Sequence, residues 1–317
     1  MTKSRTQEFN LITVMYHYVR PLALSKFPRL KALELEKFID QLIFIKKNYT
    51  IVDIDFLLSL LESGEKPQKN LALLTFDDGF SDHYNYVLPI LTDLGLTGCF
   101  YPCADSVMNR SMLDVHKIQF ILEAREDIDY LVKSCQDLEL KFGVNSAKRK
   151  FIGDTIIDAT NGGVTYVKRL LQRDLPLEVR KQLVSELFTM VVTKDEIDFA
   201  DQLYLNFDQI AQMRQAGMHF GAHGHSHNWL ANLSDEEQSN EIDQSLEMLS
   251  AIGVDVFAGW TMAYPYGNYN NYTLDLLRRR GCSLAFLDTG GNTSLNIGNR
   301  YSMERIDTIH LPFNKST

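Results

Sequence analysis

The sequence predicts an α/β fold, a parallel strand–helix barrel interrupted by a helical insertion. Three observations lead there. Short β-branched or apolar runs alternate with longer amphipathic segments, the pattern of parallel α/β architectures. The residues best suited to chemistry directly follow three of those short runs. One long stretch, residues 104–203, reads as helix after helix without a strand.

Taken in order, residues 11–16 (Leu-Ile-Thr-Val-Met-Tyr) form the first apolar strand. Residues 35–47 place Leu35, Phe38, Leu42 and Ile45 at helical spacing. A second strand is expected at 71–76, and after an acidic turn a helix at 84–94. A third strand covers 97–102. Residues 207–215 form a helix, with Asn206 as N-cap and Gly217 as its stop. Strand 218–222 follows. The clearest helix is 234–252: Ser234 and Glu237 form a capping-box pair, Ile242, Leu246 and Leu249 line one face, and Gly253 ends it. Strands 257–264 and 282–287 complete the set. Within 104–203 the best helices are 115–124, 128–140 and 177–192, separated by Asn161-Gly162-Gly163 and by Pro176. The simplest organisation is one domain over 1–317 with this stretch inserted into it.

Composition narrows the function. With 317 residues, 45% apolar and 23% charged, the chain can bury a large core. A net charge of −9 argues against nucleic acid as the main partner, because phosphate contacts need a basic face. The first ten residues are polar, and the apolar run from Leu11 to Met15 is too short for a signal-peptide core. No stretch approaches the roughly 20 apolar residues of a membrane span. Cys99, Cys103, Cys135 and Cys282 form no CxxC pair and read as free buried thiols. The expected location is the cytoplasm.

Thr75-Phe76-Asp77-Asp78-Gly79 puts two adjacent carboxylates at the end of a strand, where parallel α/β folds build active sites. Two ionised neighbours repel, so the pair calls for a cation. An Asx turn or helix cap would suit the same residues. His223-Gly224-His225-Ser226-His227 follows strand 218–222 and gathers three of the chain's eight histidines. Two imidazoles and a carboxylate are a common zinc donor set that leaves room for water and substrate. Ala263-Tyr264-Pro265-Tyr266-Gly267, again at a strand end, is a turn able to aim a backbone N–H at a pocket and wall it with a ring.

In this order the segments resemble the polysaccharide deacetylases of the NodB-homology group, carbohydrate esterase family four. Thr75–Gly79 matches that family's TFDDG motif. His223 and His227 match its His-(Ser/Thr)-x-x-His motif, with Gly224 in place of the hydroxyl residue. Pro265 and Tyr266 match Arg-x-Pro-aromatic, with Ala263 where the Arg would stand. The late Asp-Trp motif is not found. Val14-Met15-Tyr16-His17-Tyr18-Val19 is similar to the N-terminal segment of the circularly permuted branch, which makes His17, ahead of His310, the expected acid. The resemblance covers roughly 11–105 and 203–305, and leaves the helical insertion outside it.

The resemblance implies an incomplete, distorted parallel (β/α) barrel. It also implies one divalent metal ion, Zn2+ by preference, on Asp78, His223 and His227, with His225 turned away. Asp77 would be the general base, the backbone N–H of Tyr266 an oxyanion donor, and His17 the acid that protonates the leaving amine. Arg305 is a candidate substitute for the missing Arg that orients the base. Pro265, Tyr266 and His116 are candidate substrate contacts, although His116 also reads as an ordinary helix-start residue. The expected reaction is metal-dependent hydrolysis of an N-acyl, foremost N-acetyl, amide on a sugar that is nucleotide-linked, lipid-linked or part of an oligosaccharide, a cytoplasmic glycan precursor being the favoured case. Removal of a formyl group, attack on a non-sugar amide, or carbohydrate binding without catalysis are the alternatives.

Overall fold

The computed structural model describes residues 10–125, 127–144, 162–290 and 297–311. Ten strands occur in the described residues. β1 (Leu11–Tyr16), β2 (Val19–Arg20), β3 (Leu33–Glu34), β4 (Thr50–Ile51), β5 (Leu71–Asp78) and β6 (Cys99–Pro102) precede the helical stretch. β7 (His219–Phe220), β8 (Trp260–Ala263), β9 (Cys282–Phe286) and β10 (Ile306–Asp307) follow it. All paired strands are parallel. The main sheet runs β10-β1-β5-β6-β7, with β4 also on β5, while β8 pairs with β9 and β2 with β3.

Two isolated bridges, Ala222 to Met262 and Phe286 to Met303, link the β8–β9 pair to either side of the main sheet. Strands therefore surround a common interior, but two junctions lack a ladder. The result is a distorted, incomplete barrel. Gly221 makes the first junction possible: a Cβ there would lie 2.6 Å from the Thr261 carbonyl oxygen and against the Tyr101 ring.

β5 is the central strand, buried along its whole length. Because side chains alternate faces along a strand, Leu71 and Leu73 join Cys99, Tyr101, Leu284, Phe286 and Met303 in one cluster. Ala72, Leu74 and Phe76 join Tyr16, Phe38, Phe100, Phe220 and the helix residues Ile242 and Leu249 in another. The same alternation continues into Asp77 and Asp78 and sends the two carboxylates apart. Phe76 stacks on Tyr16 and Phe100 at 5.0 and 4.7 Å between centroids and meets Phe38 edge-on.

The helices are close to expectation. Leu35–Asn48, Phe207–Gln215 and Asp235–Ala251 form, and the last two carry complete capping boxes from Asn206–Gln209 and Ser234–Glu237. The expected helix after β5 is present but opens with one π-helical turn, His83–Val87, before Leu88–Asp93. Strand 218–222 shortens to His219–Phe220, and 257–264 to Trp260–Ala263.

The chain divides into two compact units. One comprises Met1–Pro21, Lys31–Arg110 and Asp201–Thr317, and contains the sheet. The other comprises Leu22–Leu30 and Ser111–Ala200. Helices Asp114–Ala124, Ile128–Lys141 and Leu177–Val191 belong to the second unit. Asn161, in the expected turn, lies outside the described residues. Leu22–Leu30, not part of the expected insertion, joins this unit through Phe27, whose ring meets Phe120 and Phe199 at 4.8 and 5.8 Å. Lys117 is buried there and held by Glu196 at 2.7 Å and Ser185 at 3.0 Å. No helix among the described residues is long and apolar enough to cross a membrane.

Phe76→Ala removes a fully buried ring packed against Tyr16, Phe38, His83 and Phe100. It is expected to lower the unfolding free energy by about 3–5 kcal/mol, read as a lower urea midpoint with an unchanged slope. A loss within experimental error would show that this cluster does not organise the sheet.

Candidate active site

The carboxylates at the end of β5 have separate partners. Asp77 points into the barrel, where Arg305 grips it with both ends of its guanidinium: Nη1 donates to Oδ1 at 2.7 Å and Nη2 to Oδ2 at 2.6 Å. Arg305 is itself fully buried and fixed elsewhere, donating from Nε to the Leu287 carbonyl at 2.6 Å and from Nη1 to Thr75 Oγ1 at 3.2 Å. Thr75 in turn donates to the Val14 carbonyl. Burial pushes the Asp77 carboxyl up. The charges of Arg305 and His223, the Arg305 hydrogen bonds and a smaller contribution from His17 outweigh it, so its pKa lies below the ordinary aspartate value.

Asp78 turns the other way, with φ at 72°. His223 Nε2 lies 3.5 Å and His227 Nε2 3.4 Å from its Oδ1, and all three side chains are largely buried. These distances exceed an ordinary charge-assisted hydrogen bond. They match the roughly 3.3 Å edge of a tetrahedron of oxygen and nitrogen ligands about 2.0–2.1 Å from zinc. His223 Nδ1 is 2.7 Å from the Ala263 carbonyl oxygen, and donation to it turns the Nε2 lone pair toward Asp78. Burial works against a charged His223, but Asp77 and then Asp78 raise its pKa above the ordinary histidine value. A pocket that attracts a proton this way also suits a cation.

The histidine loop is braced by Glu241, a buried residue of helix Asp235–Ala251. Its Oε2 accepts from the backbone N–H groups of His225 and Ser226 at 2.7 and 2.9 Å. Its Oε1 accepts from Ser226 Oγ and from Asn228 Nδ2. Gly224, at φ 72°, fits under this carboxylate, since a Cβ there would lie 3.1 Å from Glu241 Oε2. His225 faces Asp105 at 3.7 Å instead of Asp78. His227 and Tyr266 both adopt φ 57°. At this site Asp78 itself, His227 beside it and Tyr266 in the adjoining turn lie in the left-handed region, at about 1 kcal/mol or more each, strain typical of functional sites.

Pro265 is buried and Tyr266 sits in the turn after β8. Its ring stands edge-on to His227 at 4.6 Å and stacks on Trp229 at 4.3 Å. His17 follows β1, whose Tyr16 is in register with Phe76, so it leaves the sheet at the same end as Asp77. Its carbonyl lies 2.9 Å from Nε2 of the buried His83. His310 is exposed, in the 3-10 turn Thr308–His310. His116 is fully buried in the helical unit.

The profile of the family described as polysaccharide deacetylase matches residues 188–285, which include His223, His227 and the Pro265-Tyr266 turn. That stretch of the chain resembles the polysaccharide deacetylase family. Solved structures agree in fold. A Streptococcus pyogenes deacetylase, PplD, is 18% identical with a TM-score of 0.55, over 95% of this chain and 93% of that one. IcaB from Ammonifex degensii is 16% identical, TM-score 0.55, over 95% and 92%. A de-N-acetylase from Aggregatibacter actinomycetemcomitans is 17% identical, TM-score 0.51, over 94% and 95%. No curated protein sequence gives a significant match.

Three features of this site are not legible in the local sequence. Glu241 is hidden because nothing local marks one acidic residue among many on a helix as turned inward. Trp229, two residues past His227, has no motif of its own. Cys103, read only as a core thiol, has its donor atom grouped with those of Asp78 and His223, all within 4.8 Å of one another. Its Sγ donates to the His223 carbonyl at 3.2 Å, and burial followed by the nearby Asp78 charge raises its pKa well above the ordinary thiol value. A neutral thiol bonded to backbone is a poor ligand beside two imidazoles.

Arg305→Met removes what holds Asp77 ionised and leaves its burial. The Asp77 pKa must then rise, so the acidic limb of the pH–rate profile is expected to move to higher pH, with activity lost earlier as pH falls. The same change leaves a buried charge unpaired, at a cost of about 3–5 kcal/mol, so Arg305→Lys is the milder companion. An acidic limb unmoved in both variants would show that Asp77 does not set it.

Proposed function

We propose that the chain removes an N-acetyl group from a hexosamine residue of a glycan, in a metal-dependent hydrolysis. The observation that carries this reading is the placement, at one sheet end, of an ionised carboxylate clamped by Arg305 beside a separate carboxylate that meets two imidazoles. Asp78, His223 and His227 would hold a divalent cation, zinc by the nature of the donors. Such a cation, when bound, polarises the amide carbonyl and makes water nucleophilic near neutral pH.

The protein's own groups supply the rest. Asp77, held ionised, accepts the proton of the attacking water, and the Arg305 fork keeps its oxygens oriented. The backbone N–H of Tyr266 donates to the amide oxygen as negative charge develops there. His17 gives a proton to the amide nitrogen as the C–N bond breaks, leaving acetate and a free amine. The permuted chain order belongs to this proposal, because the acid is then carried by β1, next to the strand of the base. The helical unit is read as an insertion in the same domain, and His116 receives no role. A panel of nucleotide-linked, lipid-linked and oligomeric N-acyl hexosamines, with acetate and formate release measured separately, tests substrate and acyl group together. Formate release alone, or no release, would sink the acetyl reading.

Metal content measured on purified protein separates the ligand sets. His227→Ala is expected to lose most of its bound metal and Cys103→Ser to keep it. The opposite pattern would replace His227 by Cys103 in the assignment.

His17→Ala is expected to retain metal and lose turnover by on the order of a hundredfold, while His310→Ala stays near the parent chain. If His310→Ala shows the loss instead, the chain follows the family's ordinary motif order.

A further inference from the structure

Trp229 sits on the rim of this site, in a position that packing alone does not explain. The chain has two tryptophans. Trp260 is buried and donates its indole N–H to the Arg280 carbonyl at 2.8 Å. Trp229 is 43% exposed, although tryptophan is on average among the well-buried residues. Its neighbours on both sides are anchored. Asn228 donates to Ser226 Oγ and Glu241, Leu230 is fully buried, and the Ala231 N–H donates to Asn268 Oδ1 at 2.7 Å. The indole is therefore presented by a held backbone.

One indole face is covered by Tyr266, nearly parallel at 7° and 4.3 Å. Tyr266 in turn abuts His227, so Trp229 lies one ring further out from the reacting centre than Tyr266. A rigid, half-exposed aromatic plate beside a carbohydrate site suits the apolar C–H face of a pyranose, with sugar hydroxyls left in water.

Resting on the deacetylase reading above, we propose that Trp229 seats the sugar ring next to the one that loses its acetyl group, so the chain acts on oligosaccharides in preference to a single sugar. Binding energy gained at that second ring would fix the first one against Asp77 and His17.

The test compares N-acetylglucosamine with its β-linked tetramer on the metal-loaded full chain. The ratio of kcat/KM for tetramer over monomer is expected to be about tenfold or more in the parent chain and in Trp229→Phe, and to fall to within about twofold of unity in Trp229→Ala. Equal loss on both substrates would mark Trp229 as merely structural and overturn the proposal, as would an unchanged ratio. A second arm titrates the metal-loaded Asp77→Asn chain and follows tryptophan emission. The tetramer should shift the emission, the monomer should not, and adding Trp229→Phe should abolish the shift. A shift produced by UDP-N-acetylglucosamine and not by the tetramer would mean that a nucleobase occupies the plate, which also overturns the proposal. If no acyl sugar is turned over at all, the deacetylase reading falls, and this binding arm still decides for or against the subsite.

Discussion

The buried fork between Arg305 and Asp77 is the contact on which the rest of the site depends. Asp77 lies inside the barrel, where an ionised carboxylate without a partner would be costly. The guanidinium matches both oxygens, bonds a backbone carbonyl with its remaining nitrogen, and leans on Thr75. It thereby converts an unfavourable buried charge into a pre-oriented one. It also joins the end of the chain to its beginning, since Ile306 and Asp307, the residues after Arg305, pair with Val14 and Met15 of β1.

The two aspartates illustrate how a strand divides labour. Adjacent residues on β5 face opposite ways, so Asp77 meets a guanidinium and Asp78 meets two imidazoles. Their mutual repulsion, which would otherwise favour a proton on one of them, is eased by the Arg305 guanidinium on Asp77. The left-handed turn at Asp78 completes the separation. Strain at Asp78, His227 and Tyr266 is tolerated because the surrounding structure supports it. Glu241 binds the histidine loop at several points, and Pro265 and the β8 end hold the Tyr266 turn.

The guanidinium on Asp77 comes from a place that the Pro265-Tyr266 motif does not mark. Where the motif expects it, Ala263 occupies the buried end of β8 and uses its carbonyl to orient His223. The guanidinium that grips Asp77 comes from Arg305, just before β10. A guanidinium can approach a carboxylate from several directions with equal geometry, so the requirement is for a fork at one place in space and not for a residue at one place in the chain.

Local sequence determined much of this protein. Apolar runs bounded by turn residues marked β1, β5, β6, β8 and β9, and capping boxes marked helices Phe207–Gln215 and Asp235–Ala251, because strand burial and helix capping are written in residues a few positions apart. The same locality made Asp77, Asp78, His223, His227 and Tyr266 legible as candidates, each at or shortly past the end of a strand. Arg305 was within reach only as a guess, and Glu241, Cys103 and Trp229 not at all. Their significance comes from long-range packing: Arg305 lies 228 positions from Asp77 and meets it only when β10 pairs with β1. Leu22–Leu30 joins the helical unit for the same reason, through aromatic contacts of Phe27 with residues far along the chain. Periodicity reports which face of an element is apolar. What that face meets is decided by tertiary structure, because contact depends on distance in space and a single sequence records only order along the chain.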